Sequence, residues 1–291
     1  RKYSPDLYYF DWGWDGKAWK NEWPEFFSYY YNHAIRSGMG TLGNPDVLVN
    51  YKQVPAAHGS GVYDLERASM RDVQDYVWQT DTSVSDYSWG YSDNDTFKSP
   101  AALISMLVDI VSKNGALMLN FGPKADGTVP AEVMTRLQAM GTWLKSNGEA
   151  VYATRPWVVA EEGPTEFSGN HKRVAGGPYD VRYTRSKDST KVYATVFGLP
   201  ADGQLILQST KVSGESSKGA VTMLSNKKSI PFSVNTEKQI VLDLSGITAK
   251  NAGCEHAYAF CIEGFDMTGV NRPPLDLARY KLPRQTDPDR W

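Results

Sequence analysis

Residues 99–121 read SPAALISMLVDIVSKNGALMLNF, and the fold is decided there. Ser99 stands where a helix N-cap accepts a backbone N–H, and Pro100 falls in the first turn, where a missing N–H costs no helical bond. Leu103, Leu107, Ile110 and Val111 share one face of the helix so begun, and Asn114-Gly115 supplies its stop. Ala116 to Phe121 follows at once as a nearly unbroken apolar run, which predicts a strand covered on both faces. A capped helix feeding such a strand is one unit of a parallel α/β layer.

The alternation extends both ways. Upstream, Asp6 to Phe10 is a short aromatic strand ending at Asp11 and the turn-prone Gly13, and Pro24 to Arg36 predicts a helix stopped by Ser37-Gly38. Asp46 to Asn50 and Tyr76 to Gln79 predict two more buried strands. Downstream, Pro130 opens a helix with Val133, Leu137, Met140 and Leu144 in a stripe and Asn147-Gly148 as its stop. Four parallel strands are about half of a closed (β/α)8 barrel, which takes about 250 residues. The expected fold is therefore α/β plus all-β: a partial, half TIM-like barrel over residues 1–154, then a β-sandwich over 155–265. The sandwich is read from short β-branched and aromatic runs such as Asp180 to Thr184 and Lys191 to Phe197, separated by turns at Ala201-Asp202-Gly203 and Ser213-Gly214. Residues 266–291, rich in Pro, Arg and Asp, are expected to run as an extended arm.

A half-barrel sheet leaves two edges unpaired and apolar surface uncovered. The expectation is a homo-oligomer, or an N-terminal half that completes the barrel. The chain starts at Arg1 rather than Met, and residues upstream are expected to have been removed.

A formal net charge of -2 and a pI near 6.1 give no electrostatic footprint for nucleic acid or an anionic membrane. No apolar run approaches the roughly 18 residues of a membrane-spanning helix. Cys254 and Cys261 are open to two readings, a short hairpin disulfide or two buried thiols. Asn94-Asp95-Thr96 is a glycosylation sequon. No pair among His33, His58, His171 and His256 has a metal-ligand spacing, so neither metal nor cofactor is expected.

In a parallel α/β barrel, chemistry sits in the loops after the strands. Asp11 occupies that position, flanked by Phe10, Trp12 and Trp14, where rings can desolvate a carboxylate and stack on a sugar. On position alone Asp11 reads more readily as a turn cap beside core tryptophans. Glycoside hydrolysis needs a second carboxyl group as proton donor. Glu66, in Val62-Tyr63-Asp64-Leu65-Glu66-Arg67, is the candidate, with Asp64, Asp81 and Asp86 as rivals.

The segment Asp6-Leu7-Tyr8-Tyr9-Phe10-Asp11-Trp12-Gly13 resembles the nucleophile segment of the retaining α-L-fucosidases, glycoside hydrolase family twenty-nine. Val62 to Arg67 resembles the acid/base segment of one branch of that family. Trp78 to Ser83 with Ser88-Trp89-Gly90-Tyr91 is similar to its substrate-cleft loop, as Ser112 to Pro123 with Asp126-Gly127 and Gly141 to Ala150 are to later family segments. The five motifs occur in family order.

The resemblance implies hydrolysis of terminal α-L-fucosyl linkages of an oligosaccharide or glycoconjugate by double displacement, with Asp11 as nucleophile and Glu66 as acid/base. It implies substrate-binding roles for Tyr9, Trp78, Trp89 and Lys52, the last standing where many relatives carry arginine. An extracellular or periplasmic setting is expected. A non-catalytic fucosylated-glycan-binding protein, a structural remnant, or another retaining glycosidase are the alternatives.

Overall fold

A computed structural model describes residues 3–12, 19–52, 59–167, 169–170, 174–213 and 219–269. Gly13, Trp14, His58, His171, Gly214 and most of the expected arm lie outside these. The described residues fall into two compact units, one drawn from Arg1–Met140 and Phe167–Val174, the other from Gly141–Glu166 and Ala175–Trp291.

The first unit is built on a five-stranded parallel sheet, curled as half a barrel. Its strands are β1 (Leu7–Phe10), β2 (Leu48–Tyr51), β3 (Val62–Asp64), β4 (Trp78–Ser83) and β5 (Gly115–Asn120), side by side in chain order. Phe10 pairs with Tyr51, Tyr51 with Tyr63, and Tyr63 with Trp78, so the ends of β1 and β2 lie level with the start of β4, which runs on beside β5 to Ser83. That edge carries the site.

Helix α1 (Glu22–Arg36) packs on β1 and β2 through Trp23, Phe27, Tyr30 and Ala34 against Val47 and Val49. It begins before Pro24 because proline fits a first helical turn without losing a bond. Helix α2 (Pro100–Ser112) has the expected cap, with Ser99 Oγ accepting from the Ala102 amide at 3.1 Å. Asn114 ends it in the left-handed region at φ 70°, which asparagine tolerates. Two expectations change here. The buried side of α2 runs nearly all round, through Leu103, Ile104, Met106, Val108 and Ile110, while Leu107 and Val111 are only half-buried. Strand β5 is not covered on both faces: it is an edge strand, and Met118 is 41% exposed.

The sheet also has one strand more than the four predicted. Val62–Asp64 is three residues long, too short to show a period, and it inserts between the two strands expected to be neighbours. Among the described residues, β1 and β5 have no partner on their outer sides.

The second unit begins in helix α3 (Ala131–Asn147) and is otherwise antiparallel. Strands β6 (Thr154–Glu162), β7 (Val181–Ser186), β8 (Lys191–Val196), β11 (Ala220–Met223) and β14 (Tyr258–Glu263) form one sheet, in the order β11-β14-β8-β7-β6. Strands β9 (Gln204–Leu207), β12 (Phe232–Val234) and β13 (Ile240–Asp243) form another, with β13 central. Val181, Tyr183, Ala194 and Phe260 of the first share one core with Leu205, Leu207, Ile240 and Leu242 of the second, the alternation a sandwich requires. The start of the expected arm is a strand, β15 (Met267–Gly269), paired with β10 (Thr210–Val212). Cys254 and Cys261 are both free thiols.

Candidate active site

Side chains alternate between the two faces of a strand, and register decides which residues meet. The Lys52 amide donates to the Phe10 carbonyl at 2.9 Å, extending the β1–β2 ladder one step and setting Lys52 beside Asp11. The Leu65 and Arg67 amides donate to the Gln79 and Asp81 carbonyls at 2.9 and 2.8 Å, so the chain after β3 stays extended along β4. Asp64 and Glu66 thus share a face, as do Gln79 and Asp81.

At the centre of that face is Lys52, its side chain 3% exposed. Its ammonium donates to Asp11 Oδ1 at 3.1 Å, Glu66 Oε2 at 2.9 Å and Asp81 Oδ2 at 3.0 Å. Burial works to lower the Lys52 pKa, but the bonds to Glu66 and Asp81, with further help from Tyr9 and Asp11, hold it well above the ordinary lysine value. The charge therefore persists across the neutral range. The Tyr9 and Trp12 rings flank the ammonium, with centroids 5.7 and 5.6 Å away, in cation–π reach. Burial, and then the Asp64 charge, push the Tyr9 hydroxyl far above its usual range.

Trp12 Nε1 also donates to Glu66 Oε2. Both donors to Glu66 therefore use one oxygen, which leaves Oε1 to carry or receive a proton. Likewise Asp11 offers Oδ1 to Lys52 and keeps Oδ2, on a side chain 63% exposed. Because one nitrogen binds both, the engaged oxygens of Asp11 and Glu66 cannot be more than about 6 Å apart, against the roughly 5–5.5 Å separation of carboxyl groups in retaining glycosidases.

Asp11, Glu66, Lys52 and Tyr9 are thus brought together. Trp78 is not. Its side chain is fully buried against Met106 and Ile110 of α2, and its Nε1 donates to the Lys113 carbonyl at 2.9 Å. It faces the helix layer, while Asp81, three residues on, faces the site. Trp89 is 38% exposed, with the Arg67 guanidinium 4.0 Å from its ring centroid.

Arg67, beside Glu66, is a residue the sequence did not single out. It sits in the left-handed region at φ 50°, a conformation costly for a side-chain-bearing residue. It donates to the carbonyls of Asp86, Tyr87 and Ser88 at 3.3, 3.2 and 3.5 Å. Lys98, buried, donates to the Ser83 and Ser85 carbonyls at 2.8 and 2.7 Å, and burial followed by the Arg67 charge lowers its pKa to about 8. The loop after β4 is thus held from two sides. Arg67→Ala is expected to speed amide hydrogen exchange across residues 86–89. With charged hydrogen bonds worth about 1.5–3 kcal/mol each and partly solvent-compensated here, that exchange should quicken roughly tenfold. Unchanged exchange would show that the loop holds itself.

Asp81 as the third partner of Lys52, and Trp12 as a donor to Glu66, also went unassigned from sequence. Among the described residues, no group of three or more His, Cys, Asp or Glu is arranged for a metal ion; an ammonium occupies the centre instead.

The family model for alpha-L-fucosidase matches residues 1–149, just over half of the chain, and that for the alpha-L-fucosidase C-terminal domain matches residues 178–263. The chain is 30% identical to the human tissue alpha-L-fucosidase over 270 residues, which is 90% of this chain and 52% of the human protein. It is 34% identical to the Rattus norvegicus tissue enzyme over 231 residues, 77% of this chain and 44% of that one. The chain spans about half the length of the curated relatives it matches. In fold it is similar to the Thermotoga maritima alpha-fucosidase solved with fucose, with a TM-score of 0.65 at 24% identity over 89% of this chain and 52% of that one. It is also similar to alpha-L-fucosidase isoenzyme 1 of Paenibacillus thiaminolyticus, with a TM-score of 0.66 at 18% identity over 90% and 58%. With both of its segments matched in order, the chain belongs to the alpha-L-fucosidase family.

Proposed function

We propose that the chain carries the two reacting carboxyl groups of a retaining α-L-fucosidase that releases terminal α-L-fucosyl residues from glycans. The observation that supports this most is the pair of oxygens on Lys52, one from Asp11 and one from Glu66. In the first step Asp11 Oδ2 attacks the anomeric carbon. The bond to the leaving oxygen breaks, and Glu66 passes its proton to that oxygen. In the second step Glu66, now a carboxylate, takes a proton from water. The water oxygen attacks the same carbon, and the Asp11 ester bond breaks. Two inversions give net retention.

Lys52 and Trp12 have separate uses in this cycle. Both stabilise Glu66 as the carboxylate needed for the second step, and Lys52 fixes the unreacting oxygen of Asp11, which limits the nucleophile to one oxygen. Preorganised charge of this kind needs no rearrangement as the reaction proceeds. The outer edges of β1 and β5, unpaired among the described residues, favour an active species in which a further chain segment, from another copy or from an N-terminal barrel half, covers the sheet.

Glu66→Gln tests the proton donor. For a fucoside with a poor leaving group, kcat should fall by about 10²–10⁴-fold, while an activated aryl fucoside should lose far less in its first step. Early products from the parent chain should be the α-anomer of fucose by proton NMR. Equal losses for both substrates, or a β-anomer, would overturn the reading.

A further inference from the structure

The inner face of the sheet holds more carboxyl groups than one lysine can serve. Asp64, 2% exposed, and Asp81, 7% exposed, stand on adjacent strands. Asp64 Oδ2 accepts from Gln79 Nε2 at 2.5 Å, and Asp81 Oδ2 accepts from Lys52 Nζ at 3.0 Å. The other oxygen of each, Oδ1, is buried and has no donor among the described residues. A buried carboxylate oxygen without a donor is costly, and two facing each other are costlier. Asp64 lies opposite Gln79 in the ladder, and Asp81 stands two residues further along the same face, so a single proton placed between the two orphaned oxygens would satisfy both.

We propose that Asp64 is a positioning residue, held as the neutral acid, whose proton bridges Asp64 Oδ1 to Asp81 Oδ1 and thereby keeps Asp81 as the third partner of Lys52. That Lys52 in turn orients Asp11 and Glu66 rests on the fucosidase reading above; the shared proton does not. With the proton in place, this face carries one negative charge fewer. Without it, the ionised Asp64–Asp81 pair, both buried, draws the ammonium away from the exposed Asp11.

The groups on this face are Tyr9 and Asp11 from β1 and its end, Lys52 after β2, Glu66 beyond β3, and Gln79 and Asp81 from β4. Strand β5 adds the uncharged Met118, whose sulfur is 3.9 Å from Gln79 Nε2. Of these, Gln79, which donates to Asp64, and then Lys52 oppose its protonation. Burial first, then the bond to Asp81, raises the Asp64 pKa to about 7. Its folded pKa lies above its unfolded value, so the stability it contributes is full below the unfolded pKa near 4. That contribution declines as pH rises through about 7.

Two measurements test the pair. Infrared difference spectra of the full chain carrying ¹³C-carboxyl aspartate, taken from pH 5 to 9, should show a protonated-carboxyl band that titrates near 7 and is absent in Asp64→Asn. This readout needs no turnover. In parallel, kcat for an aryl fucoside should fall along a one-proton alkaline limb, which Asp64→Asn flattens while keeping at least about half of kcat at pH 6, since its amide can still donate to Asp81. A titrating band without turnover would support the pair and count against the fucosidase reading. Turnover without any such band near neutrality would overturn the pair. An alkaline limb unchanged in Asp64→Asn would overturn the positioning role.

Discussion

Replacing Asp11 with glycine is expected to lower turnover of an aryl α-L-fucoside by at least about a thousandfold, because the covalent route is lost. The loss should leave the fold intact: Asp11 is mostly exposed, and its bond to Lys52 contributes little to stability in so much solvent. The space left by the carboxylate then admits a small anion. Azide should restore a large part of the rate with an activated substrate and yield the inverted β-L-fucosyl azide, since it attacks from the side Asp11 used. Unchanged turnover in the glycine variant, or rescue giving the α-azide, would remove Asp11 from the nucleophile's role.

The second large effect is on the fold. Lys52→Met keeps a chain of similar volume but takes the shared cation from between Glu66 and Asp81, both largely buried. Breaking a buried ion pair by removing one partner costs about 3–5 kcal/mol, here because the carboxylates remain close together without their counter-charge. Denaturant unfolding at pH 7 should show that loss. The deficit should narrow toward acidic pH, as protonation of the stranded carboxylates relieves their repulsion. The parent chain should lose this contribution only in strongly alkaline solution, since the Lys52 pKa is held above that of an unfolded lysine. A deficit below about 1 kcal/mol at neutral pH would place the pair in the class of weak surface bridges.

How much of this the sequence disclosed depends on where burial leaves a period. Helix α2 and the strand after it were legible because apolar spacing and caps agree over residues 99–121. Strand β3 was not, because three residues carry no period. Strand β4 was displaced because its second half, Thr80-Asp81-Thr82-Ser83, is polar yet buried: its side chains serve the site or the sheet rather than an apolar core. The misplacement of Trp78 follows from the same strand. Residues three apart on a strand face opposite ways, so Trp78 and Asp81 cannot both face Lys52, and a one-residue slip exchanges the faces. Had Asp81 been tied to Lys52 at the outset, Trp78 would have been assigned to the helix layer. Asp11 and Glu66 stand in segments that resemble those of the family. Nothing in their spacing says that one ammonium joins them, since that depends on Lys52 lying on the strand between.

The most direct test of the whole account is to trap the covalent intermediate. Incubation with a 2-deoxy-2-fluoro-α-L-fucosyl donor bearing a good leaving group, followed by proteolysis and mass spectrometry, should place one fluorofucosyl ester on Asp11. The labelled chain should be inactive until the ester hydrolyses or transfers to an added acceptor. Stoichiometric labelling of another carboxylate, with Asp11 unmodified, would contradict the arrangement of Asp11 and Glu66 about Lys52 as the reacting centre.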